Sequence, residues 1–133
     1  MPKPPLPDEY DALLREPNPS VIGTLMPDGS PNTVATWYLW EDGRILVNMD
    51  AERVRLEWMR RDPRVSLTVL KDGDWSKHIS LRGRVVEWAD GEQGLADIDR
   101  IARHYGLADG YPIRDRGRVS AWIEVSAWHA WGF

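Results

Sequence analysis

The sequence predicts a mainly β protein, a small antiparallel barrel of six strands with a few helices crossing it. Three observations carry that prediction. First, three β-type runs, Ser20–Met26, Thr33–Trp40 and Arg44–Asn48, follow one another with only turns between them. The turns, Pro27-Asp28-Gly29-Ser30-Pro31 and Glu41-Asp42-Gly43, each carry the Asp-Gly pair that supplies the positive φ a tight hairpin needs. Second, Trp75–Trp88 alternates cleanly, with Ile79, Leu81, Gly83 and Val85 on one face and His78, Ser80, Arg82 and Arg84 on the other. Third, helical periodicity is confined to short, separate segments. An open sheet of this size would leave two unprotected edges, and closing it into a barrel removes them.

The elements follow in chain order. Residues 1–7 are rich in proline and predict a flexible, extended N-terminal tail. Asp8 is a candidate cap for a short helix over Glu9–Arg15, which Pro17 terminates. After the three-strand meander, Asp50-Ala51-Glu52 opens a second helix with acidic residues near its positive end. Val54, Trp58 and Met59 are its expected apolar stripe, and Asp62-Pro63 ends it. The fourth strand is Val65–Leu70, closed by the Lys71-Asp72-Gly73-Asp74 turn, and the fifth is Trp75–Trp88. Gly83 in mid-strand predicts a bend or a close backbone approach. Asp90-Gly91 leads into a third helix, Glu92–Tyr105, with Leu95, Ile98, Ala102 and Tyr105 on one face and Gly106 at its C-terminal cap. A polar loop, 107–117, precedes the sixth strand, Arg118–Ser126, with Val119, Ala121, Ile123 and Val125 directed inward.

Composition limits the functions available. At 133 residues the whole chain, 1–133, suits one domain. Its 42% hydrophobic and 29% charged residues are those of an ordinary globular protein. No stretch reaches the roughly 18 to 20 unbroken apolar residues of a membrane span, and the N-terminus has no apolar signal core, so a soluble cytoplasmic protein is expected. The absence of cysteine excludes disulfides, thiolate metal sites and thiol catalysis. A net charge of −4 argues against nucleic acid or an anionic membrane as partner. The charge is uneven, however: Arg53, Arg55, Arg60, Arg61 and Arg64 crowd one helix and its exit, and Arg114, Arg116 and Arg118 crowd the last loop. Local arginine clusters on an acidic protein suit a small anionic ligand. Eight tryptophans beside a single phenylalanine point to core and subunit interface, and more apolar surface than a monomer of this size readily buries predicts a dimer.

The one candidate site visible in the residues is an anion seat. A strand ending at Asn48 and a helix carrying Arg53 and Arg55 in its first turns bring free backbone N–H groups and guanidinium forks together. Other chemistries lack their signatures. There is no G-x-S-x-G elbow for a hydrolase and no G-x-G-x-x-G or P-loop. No His/Asp/Glu spacing resembles a metal site, so none is predicted.

With these elements laid out, three segments carry a resemblance: GTLMPDGSPNTVATWYLWEDGRILVNM, RVRLEWMRRDPRVSLTV with its RDPRV piece, and KHISLRGRVVEW. Together they resemble the pyridoxamine-phosphate-oxidase-like family of split β-barrel flavin and deazaflavin proteins, over nearly the whole chain from Ser20 to about Trp131. The resemblance implies a six-stranded antiparallel split barrel of the FMN-binding type and a homodimer with the cofactor in a groove between subunits. It places Val34, Ala35, Thr36 and Trp37 beside the cofactor ring and Asn48, Arg53 and Arg55 around its phosphate. Lys77 and His78 stand where oxidases of this family carry a basic residue and a flavin-contacting glutamine. The chain departs from the family pattern in having Arg55 for a usual lysine, which keeps the charge and adds a bidentate fork, and Trp58 for a residue that is often polar. It is also shorter than pyridoxamine phosphate oxidases and lacks their C-terminal substrate-binding segment, so the resemblance implies a different substrate.

Within the family the compact form resembles the subgroup that uses the deazaflavin coenzyme F420. That implies a reductase passing hydride to a small conjugated or aromatic substrate. Arg60 and Arg61, with the 114–118 loop, are then candidates for the coenzyme's carboxylate tail. An FMN-binding oxidoreductase, or a flavin- or deazaflavin-binding protein without turnover, are the alternatives. Cofactor chemistry also accounts for the lack of a recognisable catalytic constellation, since the cofactor reacts while the protein binds and orients it. His78 and Tyr38 are the only candidates named for proton transfer.

Overall fold

A computed structural model describes residues 1–133. Its elements are α1 (Asp8–Leu14), β1 (Ser20–Leu25), β2 (Pro31–Thr36), β3 (Leu39–Glu41), β4 (Arg44–Asp50), α2 (Val54–Arg61), β5 (Arg64–Lys71), β6 (Asp74–Ala89), α3 (Gly91–His104) and β7 (Arg118–Trp131). The strands pair antiparallel in the order β2-β1-β5-β6-β7-β4-β3. The mainly β, antiparallel barrel architecture is therefore as expected, but the strand count is seven where six were predicted. The run Thr33–Trp40 is divided. Its first part pairs with β1 and its second part with β4, at opposite ends of the hydrogen-bonded order. Trp37 and Tyr38 cross between those two edges, so one continuous segment links the first and last strands of the hydrogen-bonded order.

Tyr38 shows why the crossing holds. Its ring is buried, and its hydroxyl donates to the carbonyl of Leu14 at 2.9 Å, with that of Glu16 at 3.3 Å. Buried Asn18 donates its amide to the carbonyl of Leu13 at 2.7 Å. The last carbonyls of α1, which have no partner within the helix, are thus satisfied by the strand crossing and the segment after the helix. At the other end of α1 the expected cap is not used: Asp8 lies inside the helix, Pro7 holds the cap position, and no side chain caps it. Nor do residues 1–7 form a free tail. The carbonyl of Pro2 accepts the Trp128 N–H at 2.9 Å, and Leu6 packs against the core.

The hairpin turns form where Asp-Gly predicted them. Asp42 and Gly43 have φ of 53° and 72° between the paired residues Glu41 and Arg44, which makes a two-residue turn of the primed type. The inward set of β6, Ile79, Leu81 and Val85, is buried together with Val119, Ala121, Ile123 and Val125 of β7. At Gly83 the strands come so close that a Cβ would stand 2.1 Å from the carbonyl oxygen of Glu124, and a bulge falls there. α3 ends as expected, with Gly106 at φ 100° and Leu107 N–H returning to the carbonyl of Ala102 at 2.9 Å.

α2 differs from expectation. It begins at Val54, after an extended Arg53 in the cap position, and buries Leu56 and Met59 instead of Val54, Trp58 and Met59. Val54 is 56% exposed, and the helix seats itself through Leu56 in its first turn and Met59 in its second. Of the eight tryptophans only Trp40 is buried, and Trp37, Trp75 and Trp131 are exposed. α3 packs over the outer face of β7 and β4, where Leu46, Leu39, Ile98 and Ile101 form a small second core. β4 is therefore buried on both faces, and that is what places Asn48 under α3. No helix is long and apolar enough to cross a membrane.

Candidate functional site

A cavity of about 510 Å³ opens where the end of β4, the start of α2, β2 and α3 meet. Val34, Ala35, Thr36 and Trp37 form one wall. Ile98, Ile101 and Met49 contribute apolar surface, and Asn48, Asp50, Arg53, Arg55, Tyr111 and Arg118 line the polar end. The structure thus brings together every residue named in the sequence for the ring and the phosphate. Lys77 and His78 do not join them. They lie on β6, outside the cavity wall, with His78 opposite Leu70 and Trp131. Arg60 and Arg61 occupy the far end of α2, roughly 8–9 Å along the axis from Arg55. There Arg60 stacks on Trp88 at 4.5 Å, and both side chains are exposed.

The polar end carries excess positive charge. Arg53, extended at the cap position, and Arg55, in the first turn of α2, converge on the cavity although residues two apart on a helix would diverge. Neither has a carboxylate partner, and neither does Arg118; the ion pairs of this region are Arg116 with Asp50 at 3.1 Å and with Glu52 at 3.2 Å. The Nε of Arg55 is buried without any hydrogen-bond partner. Burial, followed by repulsion from Arg53 and Arg118, pushes the Arg55 guanidinium below its usual pKa range. Burial does the same to Arg118. Arginine remains charged through such shifts. A buried guanidinium donor with no acceptor, beside two more guanidinium groups, leaves a site short of an anion.

Asn48 is 7% exposed and committed within the protein. Its amide donates to the carbonyl of Gly94 at 2.8 Å and to the hydroxyl of Ser120 at 3.1 Å, while its oxygen accepts from Arg118 Nε at 2.9 Å. Its direct service in this structure is to Arg118. Arg118 opens β7 opposite Asp50 and lies over the Tyr111 ring at 4.7 Å. Nothing local in the sequence distinguishes Arg118 from its neighbours Arg114 and Arg116; only the pairing of β7 with β4 does. Tyr111 was equally hidden in a polar loop. Asp99 of α3 holds that loop by accepting the Tyr111 N–H and Arg114 Nη1, each at 2.9 Å.

The apolar wall has an aromatic anchor. Trp37 stacks on Tyr105 with centroids 5.0 Å apart and planes within 8°. Tyr105 is fixed by donating its hydroxyl to the carbonyl of Asn18 at 2.6 Å, and burial pushes its pKa up to about 12. Trp37 stays 36% exposed toward the cavity. Such a supported indole offers a planar ring a preorganised neighbour.

Tyr38, the second candidate for proton transfer, is excluded from the cavity. Its hydroxyl is engaged by α1 and burial holds its pKa well above the usual tyrosine range. Tyr38→Phe should lower folding stability by about 1–2 kcal/mol, the scale of a buried carbonyl left without its donor. Binding of an anion in the cavity should not change. Urea denaturation alongside an inorganic phosphate titration checks both halves, and a loss of affinity without a loss of stability would return Tyr38 to the site.

Comparisons with known proteins agree with this architecture. Residues 6–132 match the family model described as pyridoxamine 5'-phosphate oxidase. A solved structure of an F420 reductase superposes with a TM-score of 0.80 at 22% identity, covering 93% of this chain and 98% of that one. A conserved hypothetical protein from Mycobacterium tuberculosis gives 0.75 at 22% identity, covering 97% of this chain and 86% of that one. A heme storage protein from Vibrio cholerae gives 0.69 at 16% identity, covering 94% of each. At these identities the likeness is one of fold. No curated protein matches the chain.

Proposed function

We propose a function from one premise: the chain belongs to the pyridoxamine 5'-phosphate oxidase family, whose model spans residues 6–132. It is a cofactor-dependent oxidoreductase that holds a phosphate-bearing flavin or deazaflavin in the cavity, with coenzyme F420 preferred. The observation that carries this reading is the group of three guanidinium ions, Arg53, Arg55 and Arg118, none of which forms an ion pair, with the Arg55 Nε left unpartnered and the cavity's one carboxylate, Asp50, already paired with Arg116. An anion there would accept from Arg55 and relieve the repulsion among the three. The residues present therefore fit a phosphate, and the Trp37–Tyr105 stack and Ile98 and Ile101 fit the ring that follows it. Arg53, Arg55 and Arg118 would hold the phosphate of a reduced deazaflavin, and the chemistry such a group would supply is hydride for a small conjugated or aromatic acceptor. The protein's own work is to anchor the phosphate, flank the ring with residues 34–37 and keep water from the apolar wall.

A homodimer completes this reading. β2 is one end of the strand order, and Val34 (39%) and Trp37 (36%) are exposed beside the cavity. A second protomer laid over that edge would cover them. It is also the route by which Lys77 and His78, outside the cavity of their own chain, would reach a cofactor. Sedimentation at micromolar concentration with cofactor present should give a dimer, and a monomer there would count against the shared groove.

FMN is the second reading, favoured by one feature: Arg114 is paired with Asp99 and Arg116 with Asp50 and Glu52, so the last loop holds fewer free charges for a carboxylate tail. Arg60 and Arg61, without ion-pair partners, are then the seat for that tail. Titrations with each cofactor at several salt concentrations separate the two. The deazaflavin has more charges to screen, so its affinity should fall more steeply with salt than that of FMN. Replacing Arg60 and Arg61 together should weaken the deazaflavin more than FMN. Submicromolar FMN binding without deazaflavin binding would reverse the preference, and cofactor binding with no turnover of any acceptor would reduce the protein to a carrier.

A further inference from the structure

We propose that Asp97, a buried carboxylate on α3 that does not line the cavity, is a positioning residue for the bound anion, acting through Ser120, Asn48 and Arg118. The inference rests on the anion-binding reading of the cavity and extends it to residues that touch no ligand. Asp97 is 1% exposed and accepts the Ser120 hydroxyl at 2.7 Å, with Gln93 at 3.0 Å and Arg100 at 3.3 Å. A serine hydroxyl has one proton to donate. With that proton directed at Asp97, Ser120 turns only lone pairs toward Asn48.

The consequence passes along the chain of contacts. The two neighbours of the Asn48 Nδ2 group are the Ser120 oxygen at 3.1 Å and the Gly94 carbonyl at 2.8 Å, both acceptors. The amide therefore stands one way round, with Nδ2 inward and Oδ1 toward Arg118 Nε at 2.9 Å. Nε carries the guanidinium's single in-plane inner proton, and engaging it fixes the plane against the Tyr111 ring while both terminal nitrogens remain available. Without the charge at 97 the Ser120 hydroxyl is free to donate to Asn48. The Asn48 amide is then held inward by the Gly94 carbonyl alone, and its oxygen holds the Arg118 Nε–H less firmly. A carboxylate taken out of water costs several kcal/mol unless its surroundings recover it, and here one oxygen serves α3 and Arg100 while the other sets the rotor that leads to the cavity.

The test uses Asp97→Asn, which preserves shape, and Ser120→Ala, which breaks the same chain one link nearer and covers the case in which the first variant does not fold. In ¹H–¹⁵N spectra the Arg118 Nε–H, assigned by its loss in Arg118→Ala, should exchange with solvent at least about tenfold faster in both variants, as expected when a charge-assisted hydrogen bond is lost. This readout needs no cofactor. FMN and F420 titrations should show Kd raised about tenfold in each variant, and adding Arg118→Ala should raise it no further than Arg118→Ala alone. Unchanged Nε–H exchange, or losses that multiply in the double variant, overturns the inference. A wild-type protein that binds neither cofactor would sink the cofactor reading, with the exchange measurement still deciding whether Asp97 governs Arg118.

Discussion

Arg55→Glu should abolish binding of any phosphate-bearing flavin or deazaflavin, and Arg55→Ala should weaken it by about 1.5–3 kcal/mol, the scale of a charge-assisted hydrogen bond lost from a partly buried site. The larger effect of glutamate has two sources. The buried Nε donor disappears, and a carboxylate now competes with the phosphate for Arg53 and Arg118, whose guanidinium groups both lie close enough to perturb Arg55. A total of about 4 kcal/mol or more, roughly a thousandfold in Kd, follows. Folding should not suffer, because in the free protein Arg55 has like-charge neighbours and no partner, and the new carboxylate relieves that repulsion. Stability is then expected to rise slightly while affinity collapses, a pairing of signs that a structural arginine would not give. Arg64→Ala is the control: its guanidinium binds Asp62 at 2.7 Å and does not line the cavity. Isothermal titration and thermal melts of the three variants decide the matter, and equal affinities throughout would remove Arg55 from the site.

Much of this architecture was legible because local chemistry and tertiary structure agree. Asp42-Gly43 leaves the backbone little choice but a tight hairpin, and the alternation along Trp75–Trp88 matches one buried face. The division of Thr33–Trp40 was not legible. Both halves have β-type residues, and nothing in propensity says which edge each half will meet. That depends on α1, whose terminal carbonyls take the Tyr38 hydroxyl. The stripe of α2 departs from the sequence pattern for a related reason. The acidic residues suggest a start at Asp50, whereas Asp50 finishes β4 and Arg53 takes the cap position, so the buried face falls on Leu56 and Met59.

The site divides in the same way. Arg53 and Arg55 follow the end of a strand closely enough for the sequence pattern alone to associate them with Asn48, whereas residues 34–37 join them only through the family resemblance. Arg118 and Tyr111 come from the far end of the sequence and join only through the pairing of β7 with β4. Asn48 was visible as a member of the site, but its partners Gly94, Ser120 and Arg118 are 46, 72 and 70 residues away. No periodicity could have shown that its amide would be engaged by the protein itself.

Gly94→Ala is where fold and site meet, and it should damage both. In most helices glycine to alanine stabilises by about 0.5–1 kcal/mol, since alanine loses less backbone entropy. Here the sign should reverse. A Cβ on Gly94 would stand 2.0 Å from the carbonyl oxygen of Arg118 and 2.8 Å from its carbon, backbone atoms held in β7. α3 would have to lift from the sheet, opening the contact of Ile98 and Ile101 with Leu46 and drawing the Gly94 carbonyl away from Asn48. A destabilisation of about 3 kcal/mol or more is expected from overpacking and lost burial together. If the variant still folds, it should also bind cofactor more weakly, because the amide that orients Arg118 has lost its fixed acceptor. Denaturant unfolding gives the first quantity and a flavin titration the second. A stabilised Gly94→Ala variant would show that α3 does not sit on β7 as closely as this geometry requires, and Asn48 would then have no fixed acceptor in Gly94.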